Sequence, residues 1–132
     1  MDDSLFERVS LSTFSEFARV LKLSGLLTTS QLETVVLSFQ PEKDVGNDTE
    51  RIQNAAKYLI ESQLLTRWQT EKLLMGKHRG FFQSQYLIRQ HIGVDSTTSY
   101  YIALNMDTQT LVRIGITIDK NGSIRIKKEG DV

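Results

Sequence analysis

One 21-residue stretch occurs twice. "FARVLKLSGLLTTSQLETVVL" from Phe17 lies over "AAKYLIESQLLTRWQTEKLLM" from Ala55, displaced by 38 positions. Ala18/Ala56, Leu21/Leu59, Ser24/Ser62, Leu26-Leu27/Leu64-Leu65, Thr28/Thr66, Gln31/Gln69 and Glu33/Glu71 coincide. Each copy reads as a helix, a short turn with a Leu-Leu plug, and a second helix. A unit of this size cannot bury its own apolar face, so two copies pairing into a four-helix cluster is the economical arrangement.

Helix starts are marked by the same chemistry four times: Thr13-x-x-Glu16, Thr28-x-x-Gln31, Asn47-x-x-Glu50 and Thr66-x-x-Gln69. In such a box the first side chain accepts from a free backbone N–H, and the acid or amide three residues on reaches back. Apolar residues then recur at helical spacing: Phe14, Phe17, Val20 and Leu21; Leu32, Val35, Val36 and Phe39; Ile52, Ala55, Ala56, Leu59 and Ile60; Trp68, Leu73 and Leu74. Pro41 sits where the second helix should stop, and "EKDVGND" makes the central loop.

After "MGKHRGFF" the period changes from 3.6 to 2. Four strands are expected, Tyr86–Ile92, Ser99–Met106, Leu111–Ile118 and Ser123–Lys127. Ile102, Leu104 and Met106 alternate on the second, and Val112, Ile114, Ile116 and Ile118 on the third. Ile124 and Ile126 do so on the fourth, opposite Arg125 and Lys127. "DKNGS" signals a type I′ hairpin at Asn-Gly, and "MDTQT" closes the hairpin before it. The expected architecture is α+β: a four-helix tandem repeat over 1–80, in units of about 13–40 and 48–76, then a four-stranded antiparallel β-meander over 81–132 with one apolar face.

Composition narrows the function. The 132 residues contain no cysteine and two histidines, which leaves neither disulfides nor a thiolate or histidine-rich metal site. No apolar run approaches the roughly 20 residues of a membrane span. The acidic start "MDDSLFERVS" lacks the layout of a signal peptide, so a cytoplasmic location is expected. The polar tail "KKEGDV" reads as a natural end. Net charge is formally zero, yet residues 1–66 carry 6 Lys/Arg against 10 Asp/Glu and residues 67–132 carry 10 against 6. The two halves either face each other or leave the second half a mild preference for acidic partners.

The segment "SQLLTRWQTEKLLMGKHRGFFQSQYLIRQHIG" resembles the run into the kinase domain of large bacterial Hanks-type Ser/Thr protein kinases, where an "LLTRWQ…LL.G..RGF" phrase precedes the first strand. The likeness extends over roughly residues 14–118. It sets Gly93 on the first glycine of the glycine-rich loop, Tyr101 and Ala103 on the end of the second strand, and Val112 at the start of the "VAIK" signature. The departures carry the functional meaning. Asp95 and Thr98 stand at the second and third glycine positions, where backbone N–H groups should approach phosphate and a carboxylate would repel it. Gly115 stands where the phosphate-pairing lysine belongs. An Asn-Gly hairpin replaces the helix that should follow, and no HRD or DFG occurs; "HRG" at His78–Gly80 precedes the first strand. The resemblance therefore implies a truncated kinase N-lobe-like sheet without catalytic residues, without a cofactor and without a metal.

Other groups invite bland readings. His91 reads as an edge histidine, on the face opposite Ile88 and Ile92. Lys72, Lys77, His78 and Arg79 form a basic hinge that could touch an acidic partner or nucleic-acid backbone, but no aromatic stacking platform interleaves them. Trp68 reads as a core or inter-domain plug. Phe81 and Phe82 wedge the helices on the sheet or anchor a partner. The expected function is a non-enzymatic interaction module, an accessory subunit or adaptor docking on a larger protein assembly. Its contacts are expected at Lys77, His78, Arg79, Phe81 and Phe82, and at Ile124, Arg125, Ile126, Lys127 and Lys128. The alternatives are a pseudokinase-like nucleotide sensor and a nucleic-acid-associated accessory protein; nucleotide and nucleic acid are the less expected partners.

Overall fold

The computed structural model of the chain describes residues 9–40 and 46–132. Pro41, most of the "EKDVGND" loop and the first eight residues lie outside them. The chain divides into two units, residues 1–79 and 80–132.

The first unit holds α1 (Phe14–Ser24), α2 (Thr29–Phe39), α3 (Asp48–Glu61) and α4 (Arg67–Leu74). All four expected caps form: Thr13, Thr28, Asn47 and Thr66 each accept from the backbone N–H three residues on. Only Thr28 and Thr66 are reciprocated by the side chain of Gln31 or Gln69, and these two are the equivalent boxes of the repeat. The residue three positions before each box is also equivalent: Gly25 (φ 70°) and Gln63 (φ 63°) both adopt the left-handed conformation that ends a helix. Phe14/Ile52, Phe17/Ala55, Leu21/Leu59 and Val35/Leu73 are buried at matching positions. The copies are nevertheless unequal. α1 and α3 have 11 and 14 residues, α2 and α4 have 11 and 8, and Val20 is buried where Tyr58 is exposed. Asp48, the first residue of α3, accepts from the Phe14 N–H at 3.2 Å, so one carboxylate caps α1 from the start of the other copy.

The second unit is a single antiparallel sheet in sequence order: β1 (Phe82–Gln83), β2 (Tyr86–Asp95), β3 (Thr98–Asn105), β4 (Thr110–Ile118) and β5 (Ile124–Asp131). Five strands replace the expected four, because Phe82–Gln83 folds back on Tyr86–Leu87. Two-residue strands leave no periodicity to read.

The turns differ from expectation as well. Asp119 and Ser123 pair across the last hairpin, and Gly122 donates to the Asp119 carbonyl at 3.0 Å. The Asp119 carboxylate accepts from the N–H groups of Asn121 and Ser123. Gly122 alone has positive φ (81°). This is a three-residue loop with glycine at its left-handed position, rather than type I′ at Asn-Gly, which needs positive φ at both residues. Met106, expected at a strand end, falls in the turn, whose Gln109 takes φ 59°.

Candidate functional site

Residues directly opposite each other in an antiparallel pair share a face, so the register assigns each side chain a side of the sheet. An inner face carries Tyr86, Ile88, Ala103, Val112 and Ile114, all buried. This overturns the expectation that Ile102, Leu104 and Met106 supply the buried face of β3. Ile102 and Leu104 are half-buried on the outer face, and Ala103 points inward. Register shifts between Ile88 and Gln90 and between His91 and Gly93 change the parity of β2. His91 is thereby brought to the face of Ile88, with its ring 5.1 Å from that of Tyr101, and not to the opposite one.

The place of the resemblance's phosphate loop is a tight hairpin. Asp95 pairs with Thr98, leaving Ser96 (φ 50°) and Thr97 as the whole loop. Gly93 has no positive φ, and a Cβ there would meet nothing within 4 Å. Gly115 differs: a Cβ would lie 3.1 Å from Glu129 Oε1, 3.1 Å from Thr98 Cγ2 and 3.3 Å from Tyr100 Cε1. The spot where a phosphate-pairing lysine would stand is occupied by neighbours.

Two aliphatic surfaces remain open on the sheet. On the outer face, Phe82, Leu87, Leu104 and Leu111 are consecutive cross-strand partners, a row across β1 to β4 whose ends are 45% and 41% exposed. On the inner face, beyond the buried residues, Ile116 opposes Ile126 and Ile118 opposes Ile124. Ile118 and Ile124 are each 56% exposed, and Val94, on the same face, is 68% exposed. Directly opposed isoleucines with this exposure are an apolar patch rather than scattered residues.

The sequence-derived contact residues are dispersed by this geometry. Lys77, His78 and Arg79 belong to the helical unit, with Lys77 and Arg79 exposed. Phe81 is buried and therefore presents no surface, whereas Phe82 heads the outer row. Ile124, Ile126 and Lys128 lie on the inner face; Arg125 and Lys127 lie on the outer one, opposite Thr117 and Gly115. Thr117, Arg125, Ile126 and Lys127 line an open depression of about 500 Å³. Val94, Leu111 and Ile118 are exposed apolar residues outside the contact set expected from the sequence, although Leu111 and Ile118 bound an expected strand.

Charge separates the cations of β5. Lys128 donates to Asp131 at 2.9 Å, and that hydrogen bond, with the carboxylate's charge, raises the ammonium pKa above its ordinary value. Arg113, Arg125 and Lys127 make no ion pair among the described residues. The basic excess of residues 67–132 is not a property of the sheet: residues 80–132 carry 6 Lys/Arg against 5 Asp/Glu. Such a balance is far from the dense positive stripe that a phosphate backbone requires. Among the described residues, no cluster of His, Asp and Glu is placed to hold a metal ion, and no helix is long and apolar enough to cross a membrane.

Compared with known proteins, the chain matches no protein-family model, no curated protein and no solved structure.

Proposed function

We propose that this chain is a non-catalytic protein–protein interaction module, a small accessory subunit or adaptor of the cytoplasm. In this reading a helical tandem repeat precedes a sheet akin to the start of a Hanks-type kinase N-lobe. The sheet docks on a larger protein assembly through its terminal hairpin. The observation that carries it is the opposed Ile118–Ile124 pair with Val94, large aliphatic side chains more than half exposed at one end of the inner face. Exposed aliphatic surface of this kind raises the free energy of the isolated chain, and a partner that covers it recovers roughly 25 cal/mol per Å². The filled position beside Gly115 and the carboxylate of Asp95 in the tight β2–β3 hairpin both weigh against a nucleotide sensor.

The test is affinity purification of the tagged full chain and of Ile118→Asp from lysate of the source cells, with folding of both checked by circular dichroism. A protein that co-purifies in stoichiometric amount with the parent and is lost with the folded variant supports the module. Co-purification of nucleotide or nucleic acid alone, or a partner indifferent to Ile118→Asp, overturns it.

A further inference from the structure

The two edges of the sheet differ. β1 covers the start of β2, and the remainder of that strand's outer edge is broken by two register shifts. Bulges of this kind twist an edge away from pairing. Among the described residues β5 has no neighbour beyond β4, and its register runs without interruption from Ile124 to Lys128 before the shift at Glu129. Five residues, roughly 17 Å of strand, are thus a regular open template.

We infer that β5 accepts an extended segment of a protein partner by antiparallel strand addition, a segment in which aliphatic and acidic residues alternate. This inference rests on the interaction-module reading above and assigns its partner a chemistry. An added strand places its side chains alternately on the two faces. On the inner face they meet Ile124 and Ile126, flanked by the exposed Ile118. On the outer face they meet Arg125 and Lys127, the two cations of β5 that carry no ion-pair partner among the described residues, whereas Lys128 is already neutralised by Asp131. Carboxylates are the complement of that outer pair, and the depression beside Thr117 admits their side chains. A second copy of the chain fits less well: stacking Ile126 on Ile126 across a two-fold sets Arg125 against Lys127 twice. Like charges directly opposite each other are destabilising.

The experiment uses the isotopically labelled full chain and three capped peptides: alternating valine and glutamate, alternating valine and lysine, and the glutamate peptide with a central proline. Amide shifts of Ile124–Lys128 report binding. The glutamate peptide is expected to bind about tenfold more tightly than the lysine peptide, and the proline to abolish binding, since it removes a ladder donor. Arg125→Glu with Lys127→Glu should invert the preference. Arg125→Gln with Lys127→Gln should level it, and serves if the reversal fails to fold. Equal affinity of the two charged peptides, shifts confined to other strands, or no shift at millimolar peptide overturns the inference. So do β5 shifts that follow protein concentration without peptide, which would seat a second copy on the edge. If the peptides fail while a natural partner still depends on Ile118, the strand-addition inference alone falls. If that partner is absent as well, the module reading falls with it.

Discussion

The helical unit and the sheet unit solve burial differently. In α1, α3 and α4 an apolar face is taken out of water, with Phe17, Leu21, Ile52, Leu59, Leu73 and Leu74 all but fully buried, whereas α2 buries Val35 alone. The helix ends are satisfied within a few residues by Thr13, Thr28, Asn47 and Thr66. The sheet buries only part of its inner face and leaves Val94, Ile118 and Ile124 outside, with a second apolar row on the outer face. The first unit also leaves Leu23 and Leu37 exposed, whereas the second sets exposed isoleucines directly opposite each other across a strand pair. The opposed pair Ile118–Ile124 is the reason the proposed docking surface is placed on the sheet.

The strongest way to break this contrast is to open the helical core. Leu59→Ala should lower stability by about 2–5 kcal/mol, because the fully buried site cannot collapse on the cavity. Trp68, the one tryptophan of the chain, lies on α4 and reports urea unfolding of that unit by fluorescence. An effect as small as that of an exposed sheet isoleucine would erase the distinction. A smaller loss, about 1–3 kcal/mol, is expected for Gly115→Lys, whose side chain must displace Tyr100, Thr98 or Glu129. Faster hydrogen exchange of β4 amides measures it, and no gain of nucleotide affinity should accompany it.

Thr66→Ala removes a reciprocal capping box and should cost about 1 kcal/mol, more than Thr13→Ala, where the Glu16 side chain makes no return bond to the backbone. Equal losses by urea titration would deny the reciprocal bond its role. Ile124→Ser should change stability by less than about 0.5 kcal/mol while abolishing hairpin-dependent partner binding, since the residue is surface in the isolated chain. The smallest effect belongs to Lys128→Gln. The Lys128 pKa is raised in the folded state by Asp131, so the contribution is complete below the unfolded pKa and is lost as pH rises through the folded one. Thermal melts of parent and variant should converge in strongly alkaline buffer and in high salt, because the pair is exposed.

Legibility followed the range of the interactions. Helices and their four caps depend on residues three or four apart, and the spacing in the sequence revealed them. The left-handed pair Gly25 and Gln63 was not legible, because a glutamine carries no turn signal at the position its glycine counterpart holds. In the sheet, strand positions were readable, but the buried face of β3 was not. Ile102 and Leu104 out-rank Ala103 in hydrophobicity, yet the register with Val112 turns Ala103 inward. The shifts around Arg89 and Ile92 have no local signature and reversed the side assigned to His91. Of the proposed contact residues, the hairpin positions Ile124 to Lys128 are exposed or half-exposed, although the alternation alone set Ile124 and Ile126 on the apolar face. Phe81 is buried because adjacent aromatics on an extended segment must take opposite sides.

A sheet with one joinable edge behaves as a chain stopper. Once a foreign strand has joined β5, the new outer edge belongs to the guest. Growth from the opposite border is blocked where β1 and the two irregularities of β2 spoil the template. Copies therefore have no head-to-tail linkage by strand pairing through their borders, the route by which a sheet edge would build an open filament. The arithmetic of any complex built this way is one guest strand per host.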